Sequence, residues 1–314
     1  MPLSRRKMLQ KTMATFGASM VFANTPSFAG KSKPGKTGFS YCLNTSTISG
    51  QKLGLMGELD IAAKAGYDGI EIWVRDLDTF MMNGGKTADV LKKASDLGLR
   101  IENAISFPKW IVDDEAIRKD ALEQAKKETA LLAQIGCPRI AAPPTGATEI
   151  PGLNLNQAAE RYAQLLEVCT ANGVRPLLEI WGFSANLNRM SDALFIAGAS
   201  GNQNAAILAD VYHLHKGGSA AESLALVDGN ALPVFHMNDY PGVPERESIA
   251  DKDRIYPGDG IAPLSTILQL LQKKNTPIVL SLELFNRDYW QQDALLVAKT
   301  GLEKMKLAVE KALL

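Results

Sequence analysis

The 314-residue chain has little of what marks several protein classes. Its three cysteines, Cys42, Cys137 and Cys169, are too few and too widely spaced for a disulfide framework or a C-x-x-C zinc site. Basic and acidic residues number 34 each, so the net charge is zero and there is no basic excess for a nucleic-acid partner. The chain also lacks a Gly-rich dinucleotide-binding loop. These absences leave an ordinary globular protein, with 46% apolar and 22% charged residues.

The first 29 residues differ in kind from the rest. Arg5 and Arg6 precede a mildly apolar stretch, and the segment Ser27-Phe28-Ala29 has the form of a small-x-small cleavage site. This pattern predicts a twin-arginine signal peptide over residues 1–29, a linker over 30–37 and a periplasmic location, with an uncleaved amphipathic arm as the alternative. The apolar stretch is too short and too polar for a stable membrane insertion.

From residue 38 onwards, short apolar runs alternate with longer amphipathic stretches. Eight such runs are candidate strands: FSYCLN, GIEIW, LRIENAIS, RIAAPP, PLLEIW, AAILAD, PVFHMND and IVLSLELF. A helical pattern follows each, including one over 219–229 after the sixth strand. Strands that alternate with helices predict parallel βαβ units. Eight units without a dinucleotide loop predict an α/β fold, a single-domain (β/α)8 TIM barrel over residues 38–314.

Polar side chains lie at the ends of four successive predicted strands. Catalytic groups of such barrels gather at the carboxyl ends of the strands, so these side chains are expected to meet. A charge inside apolar strand sequence is costly unless it is compensated, and three carboxylates need a cation nearby. The oxygen-rich set favours one Mn²⁺ ion, with Zn²⁺, Co²⁺ and Mg²⁺ as alternatives. The predicted metal ligands are Glu179, Asp210, His236 and Glu283.

Other residues near predicted strand ends are candidates for substrate binding. Asn44 and Glu71 come at the ends of the first two strands, Lys109 follows the third, and Trp181 follows Glu179. An aromatic ring such as Trp181 can pack on a sugar ring. Packing at the barrel rim is the alternative role for each of them.

Seven stretches of the chain resemble the xylose-isomerase-like TIM-barrel family of sugar isomerases and epimerases, in particular its isomerases of 2-keto-myo-inositol. The resemblance covers residues from about 38 to the C-terminal helix, and its motifs are CLNTSTI, GYDGIEIW, LLEIWG, ILADVYHLHKGGS, VFHMNDY, DKDRIYPGDGIAPL and LSLELFNRDYW. It implies the same four metal ligands and a catalytic pair formed by Glu179 and Glu283. It also implies that His213, in the loop after Asp210, lies near substrate oxygens, and that Arg254 binds substrate.

The implied activity is that of a divalent-metal-dependent isomerase or epimerase. Its substrate would be a keto-sugar or keto-cyclitol, and the reaction would pass through a metal-stabilised enediolate. Loss of a β-substituent from the same enediolate would instead give a lyase or dehydratase, and the predicted export signal favours a periplasmic enzyme of this kind that acts on 3-keto-glycosides.

A non-catalytic sugar-binding protein is a further alternative, because it would keep the pocket without needing the metal ligands. Apurinic-site endonucleases share the barrel, but their multinuclear zinc site needs more histidines than the three present. The expected partner is therefore a small-molecule carbohydrate and not a nucleic acid. A homo-oligomer stays open.

Overall fold

The computed structural model describes residues 38–314, so the predicted signal peptide and linker lie outside the described residues. Eight parallel strands follow one another in the order β3-β2-β1-β8-β7-β6-β5-β4. Their bounds are Phe39–Asn44 (β1), Gly69–Trp73 (β2), Arg100–Ile105 (β3), Arg139–Ala142 (β4), Arg175–Glu179 (β5), Ile207–Asp210 (β6), Val234–Met237 (β7) and Ile278–Leu282 (β8). The predicted strands are all present, most of them shorter by one to three residues.

The two end strands of this sheet, β3 and β4, adjoin each other. Within residues 38–314 no backbone ladder pairs them, and side chains bridge the seam instead. Arg139 Nη1 on β4 donates to the carbonyl oxygen of Glu102 on β3 at 2.7 Å and to its Oε2 at 3.1 Å. The strands thus form a nearly closed barrel, which confirms the predicted (β/α)8 fold.

Nine α-helices surround the described barrel. Several begin at a side-chain cap, as at Asp114, Asn154 and Asp293, whose side-chain oxygens accept from backbone N–H groups of the first turn. The bounds are Gly54–Ala65 (α1), Val74–Met82 (α2), Thr87–Asp96 (α3), Glu115–Gln134 (α4), Leu155–Thr170 (α5), Met190–Ala199 (α6), Val211–Gly217 (α7), Leu264–Gln272 (α8) and Ala294–Leu313 (α9). None of them is long and apolar enough to cross a membrane.

The strands bury apolar side chains on both faces. Leu177 and Val234 belong to a small cluster inside the barrel, whereas their neighbours Leu178 and Phe235 belong to the larger core between strands and helices. This alternation is the period-2 geometry of a strand. The continuous apolar runs of the sequence therefore fit a parallel sheet that is covered on both sides.

Two predicted elements differ from the structure. The segment after β6, predicted as a loop, is the seven-residue helix α7, which Gly218 ends in the left-handed conformation with φ of 74°. The helix predicted over 219–229 consists of 3-10 turns at Ala221–Leu226 and Gly229–Ala231. Lys274 Nζ donates to the carbonyl oxygens of Leu224 and Val227, which takes up acceptors that a continuing helix would use.

Candidate active site

The spacing of Asp210 and His213 has a local structural cause. Asp210 is both the last residue of β6 and the N-cap of α7, and its Oδ1 accepts the backbone N–H of His213 at 2.8 Å. Its Oδ2 accepts from Asn238 Nδ2 at 2.9 Å and is thereby held toward the barrel axis. The cap fixes the carboxylate and at the same time places the His213 ring one helical turn further on.

Three predicted ligands come together at the carboxyl ends of β6, β7 and β8. Asp210, His236 and Glu283 are all buried, and each has a ligand atom within 4.8 Å of the others. His236 Nδ1 lies 3.1 Å from Glu283 Oε2 and 3.9 Å from Asp210 Oδ2. Strand register brings Asp210 directly opposite His236, so adjacent parallel strands deliver these two side chains together.

Glu71 holds the other nitrogen of the His236 ring. Its Oε1 lies 3.0 Å from His236 Nε2, and the same carboxylate accepts from Asn44, Asn103 and Ser281 at 2.8, 2.6 and 2.6 Å. The contact holds a proton on Nε2, so Nδ1 is the nitrogen that can bind a cation in place of a second proton. Nδ1 has no hydrogen-bond partner despite its nearness to Glu283. A carboxylate behind an imidazole is the arrangement that orients metal-binding histidines.

Charge coupling dominates this buried group. Burial opposes ionisation of His236, but the carboxylates of Glu283 and Glu71 outweigh it and raise the pKa of the imidazole well above its ordinary value. Burial likewise opposes ionisation of Glu283, but His236 and Arg254 lower the pKa of that carboxyl to about 2. Burial also opposes ionisation of Glu71, but His236 outweighs it and lowers the pKa of this carboxyl group. Both carboxylates are therefore ionised at neutral pH.

Arg254 brings a second positive charge to the same place. Its Nη1 donates to Asp210 Oδ2 at 3.0 Å and to Glu283 Oε2 at 2.8 Å, and its Nη2 donates to Asp251 Oδ1 at 2.5 Å. The residue is 1% exposed, and its guanidinium stacks over Tyr212 with Cζ 4.5 Å from the ring centroid. Arg254 lies in the loop after β7, and the structure brings its guanidinium from that loop to the carboxylates.

Glu179, predicted as the fourth ligand, is buried at the end of β5 but lies outside the group of three. Its Oε2 has no hydrogen-bond partner. Burial, reinforced by the negative charge of Glu283, raises the pKa of Glu179 to about 8. A carboxyl group of this kind, beside a charged carboxylate and with a free oxygen, suits proton transfer.

His213 lies between the backbone of Gly182 and the guanidinium of Arg254. Its Nδ1 accepts the backbone N–H of Gly182 at 3.2 Å, so the proton of the neutral ring is on Nε2, which lies 3.0 Å from Arg254 Nη2. Burial and the positive charge of Arg254 lower the pKa of His213 well below its ordinary value, so the ring is neutral. Gly182 permits this approach, because a Cβ there would lie 2.4 Å from the carbonyl oxygen of His213.

The predicted substrate-binding residues differ in how deeply they are buried. Asn44 and Glu71 are fully buried and hydrogen-bonded within the network beneath His236. Trp181 is half-buried at the barrel mouth. Lys109 is exposed, and its aliphatic chain passes close to Gly146 in the loop after β4. The side chains of Asn44 and Glu71 support the His236 ring, and the substrate contact predicted for these two residues stays a prediction.

Five aromatic side chains, one at the end of β2 and four in loops after strands, form a series at the mouth of the barrel. Neighbouring ring centroids lie between 5.3 and 6.3 Å apart. The series starts 5.8 Å from the His213 ring and ends with Arg254 Cζ 5.1 Å from the last ring. We call this set the aromatic collar, and it consists of Phe183, Trp181, Phe107, Trp73 and Phe285.

The donor set fits a divalent cation. Two carboxylates and an imidazole are ligands that Mn²⁺, Zn²⁺ and related ions accept. The position of His236 Nδ1 supports this fit most directly, because it makes no well-formed hydrogen bond and yet lies 3.1 Å from Glu283 Oε2 and 3.9 Å from Asp210 Oδ2. Asp210, His236 and Glu283 are thus the residues that would hold the ion.

Comparison with known proteins establishes the family. The family model for the xylose isomerase-like TIM barrel matches residues 59–307. The chain therefore belongs to the xylose isomerase-like TIM barrel family.

Its relatives are enzymes of several related types. The chain is 27% identical to the inosose isomerase of Bacillus velezensis over 276 residues, which cover 86% of this chain and 97% of the relative. It is 26% identical to the 3-dehydroshikimate dehydratase of Pseudomonas aeruginosa, over 85% of this chain but only 41% of that protein. The crystal structure of the IolI protein with a bound zinc atom has a TM-score of 0.81 at 23% identity and covers 87% of this chain and 99% of that one. These similarities support an enzyme of the sugar isomerase and epimerase type or a closely related reaction.

Proposed function

We propose that this chain is a divalent-metal-dependent isomerase or epimerase of a keto-cyclitol or keto-sugar. The observation that carries the proposal is the buried group of Asp210, His236 and Glu283, in which His236 offers a free Nδ1 while Glu71 holds its other nitrogen. Similarity to inosose isomerases supports a keto-inositol as the first substrate to test. Mn²⁺ is the first metal to test, followed by Zn²⁺, Co²⁺ and Mg²⁺.

A divalent cation at these ligands would act as a Lewis acid on a substrate carbonyl and offset negative charge that develops on its oxygen. Removal of the proton on the carbon next to the carbonyl requires a base, and Glu179 would take this role in its ionised form, which a cation beside Glu283 would favour by offsetting the negative charge that raises its pKa. Glu283, beside His236 and Arg254, is the second carboxylate of the pair. Return of the proton to the neighbouring carbon isomerises the substrate, and return to the opposite face epimerises it.

His213 and Arg254 are proposed to hold the substrate oxygens. The guanidinium offers a fixed positive charge that is already near Asp210 and Glu283. The neutral His213 ring, with Nδ1 taken by Gly182, can donate a hydrogen bond from Nε2 to a substrate oxygen. Lys109 and Trp181 are proposed to contact the parts of the substrate that extend to the barrel mouth.

Elimination is the second candidate reaction. Similarity to a 3-dehydroshikimate dehydratase favours it, because loss of a β-substituent needs the same removal of a proton next to a ketone. We therefore suggest incubating Mn²⁺-loaded protein with 2-keto-myo-inositol, free keto-sugars and 3-keto-glycosides as substrates. The products are then identified by NMR. An isomer or epimer supports the first proposal, and an unsaturated product supports the second. The absence of any conversion with every substrate and metal would contradict both.

Export is a separate proposal for residues 1–29, which lie outside the described residues. It is supported by Arg5-Arg6 and by the Ser27-Phe28-Ala29 segment. N-terminal sequencing of protein from the periplasm of the native host should find a chain that starts near Gly30. Intact Met1 on protein confined to the cytoplasm would contradict export.

A further inference from the structure

The aromatic collar has an inner and an outer part. Trp73 is buried, and Trp181 and Phe285 are half-buried, whereas Phe107 is 36% and Phe183 is 46% exposed. The two exposed rings lie on the loops after β3 and β5, on either side of Trp181. Phe107 and Phe183 have centroids 6.1 and 5.3 Å from that of Trp181. The outer part is thus a continuous aromatic surface on one side of the mouth.

A third apolar side chain lies on the same side. Ile150, in the loop after β4, is 81% exposed. Its loop is fixed to the one that carries Phe183, because Asn186 Nδ2 donates to the carbonyl oxygens of Ile150 and Ala147 at 2.6 and 2.7 Å. Asn186 Oδ1 also accepts the backbone N–H of Leu153 at 3.0 Å. This exposed apolar surface is therefore held in place by a hydrogen-bonded loop pair.

Phe107 and Phe183 are exposed and lie outside the buried group of Asp210, His236 and Glu283. A keto-cyclitol whose carbonyl lies at Asp210, His236 and Glu283 would extend from these ligands toward the collar, whose first and last rings adjoin His213 and Arg254. Exposed aromatic rings beside a polar site can stack on the face of a ligand ring. A pair of aromatic rings contributes about 0.5–1.5 kcal/mol to binding beyond the burial of apolar area. Isolated exposed apolar residues need no explanation, but a contiguous group that joins a candidate active site does.

We infer that the substrate carries a second ring, and that this ring stacks on the outer collar formed by Phe107, Trp181 and Phe183. The inference rests on the proposed function, because it presumes that the keto ring is bound at the group of three ligands. It narrows the substrate class to keto-sugars or keto-cyclitols joined to a planar or apolar-faced group, such as an aryl glycoside. Continuity of the collar from the His213 ring outwards is the argument for a substrate group as its occupant.

Paired probes test this inference. The phenyl and methyl β-glycosides of 3-keto-glucose share the keto ring and differ only in the second group. Binding is measured by tryptophan fluorescence and calorimetry in Mn²⁺-loaded protein. We expect the phenyl compound to bind about fivefold to tenfold more tightly than the methyl compound. Phe183→Ala should remove most of this preference and leave methyl glycoside binding unchanged, and Phe107→Ala should reduce it.

Phe195→Ala is the matched control, because Phe195 is 43% exposed on α6 and lies outside the collar. It should keep the full preference for the phenyl compound. Equal affinity for the two glycosides, with proton exchange on a keto-inositol intact, would overturn this inference alone. Failure of every keto compound to bind would overturn it together with the proposed function. Dissociation of an oligomer in Phe183→Ala, without loss of the phenyl preference, would assign the surface to a second copy of the chain and also overturn the inference.

Discussion

Glu71 Oε1 lies 3.0 Å from Nε2 of His236, and both side chains are completely buried. The contact joins β2 to β7 across the barrel interior and leaves Nδ1 of His236 facing Asp210 and Glu283. Asn44, Asn103 and Ser281 donate to the same carboxylate, so its orientation is fixed on every side. The site is thus built in two levels, and the lower level determines which imidazole nitrogen is available.

Glu71→Gln tests this supporting role. The amide adds two donors to a position where four donors already converge, so we expect the His236 ring to lose its fixed tautomer. Affinity for Mn²⁺ or Zn²⁺ should fall by about 10-fold to 100-fold, as measured by calorimetric titration of metal-free protein. Glu58→Gln, which changes another buried carboxyl group to the same amide, is the control and should bind metal normally. Unchanged affinity in Glu71→Gln would show that Glu71 does not position the ligand.

His213→Ala separates substrate contact from metal binding. The substitution keeps the backbone N–H of residue 213, which donates to the side chain of Asp210. The carboxylate should therefore keep its position, and the protein should keep its metal. Turnover should fall by about 100-fold if the ring assists at a substrate oxygen. His215→Ala is the control on the same helix, because His215 stacks on Tyr240 with centroids 3.9 Å apart and is not among the proposed site residues. Complete loss of metal from His213→Ala would mean that the role assigned to this histidine is wrong.

Glu179→Gln tests the proposed base. Glutamine keeps the shape of the side chain but cannot take up a proton, and Asp210, His236 and Glu283 remain to hold the ion. We therefore expect bound metal in elemental analysis of the purified variant. Exchange of the substrate proton next to the ketone should slow by about 100-fold or more. An exchange rate equal to that of the unsubstituted protein would remove Glu179 from proton transfer.

Stability should depend on pH through Glu58, a buried residue of α1. Burial, with a contribution from Asp76, raises its pKa from 4.5 to about 7, and its Oε2 has no hydrogen-bond partner. Burial favours the protonated carboxyl group of Glu58 in the folded protein. Its contribution to the free energy of unfolding is therefore complete below pH 4.5 and is lost as the pH rises through about 7. Between pH 5 and pH 8, Glu58 should lower the free energy of unfolding by up to about 3 kcal/mol.

Glu58→Gln should remove that decline. Denaturant unfolding of both proteins at pH 5 and pH 8 measures it. The variant should gain stability relative to the unsubstituted protein at pH 8 and differ little at pH 5. An equal pH dependence of the two proteins would contradict the assignment of this loss to Glu58.

The site residues at strand ends could be predicted because a parallel barrel brings all carboxyl ends to one face. Asp210, His236 and Glu283 each interrupt or end an apolar run, which made them visible in the sequence, and the structure brings them together. Asn103 and Ser281 lie within strands and give no such signal. The place of Asn103 opposite Glu71 follows a register shift between Ile70 and Glu71 that no local pattern reveals.

The helix α7 could not be predicted from periodicity, because seven residues are too few to show a helical repeat. The available signal was Asp210 itself. Aspartate is a common N-cap residue, because its side chain can accept a backbone N–H of the first helical turn. Of the collar, only Trp181 was predicted from the sequence. Phe107, Phe183 and Phe285 lie in loops, where spacing does not tell which rings will meet.

Solvent-deuterium exchange tests the central claim most directly. Protein stripped of metal and then loaded with Mn²⁺ is incubated in deuterium oxide with 2-keto-myo-inositol, and recovered substrate and product are analysed by NMR. We predict deuterium on the carbon next to the ketone in the loaded protein and none beyond background in the stripped protein. Turnover without deuterium incorporation, or equal exchange by the stripped protein, would contradict the account of a metal-assisted proton transfer by buried carboxylates.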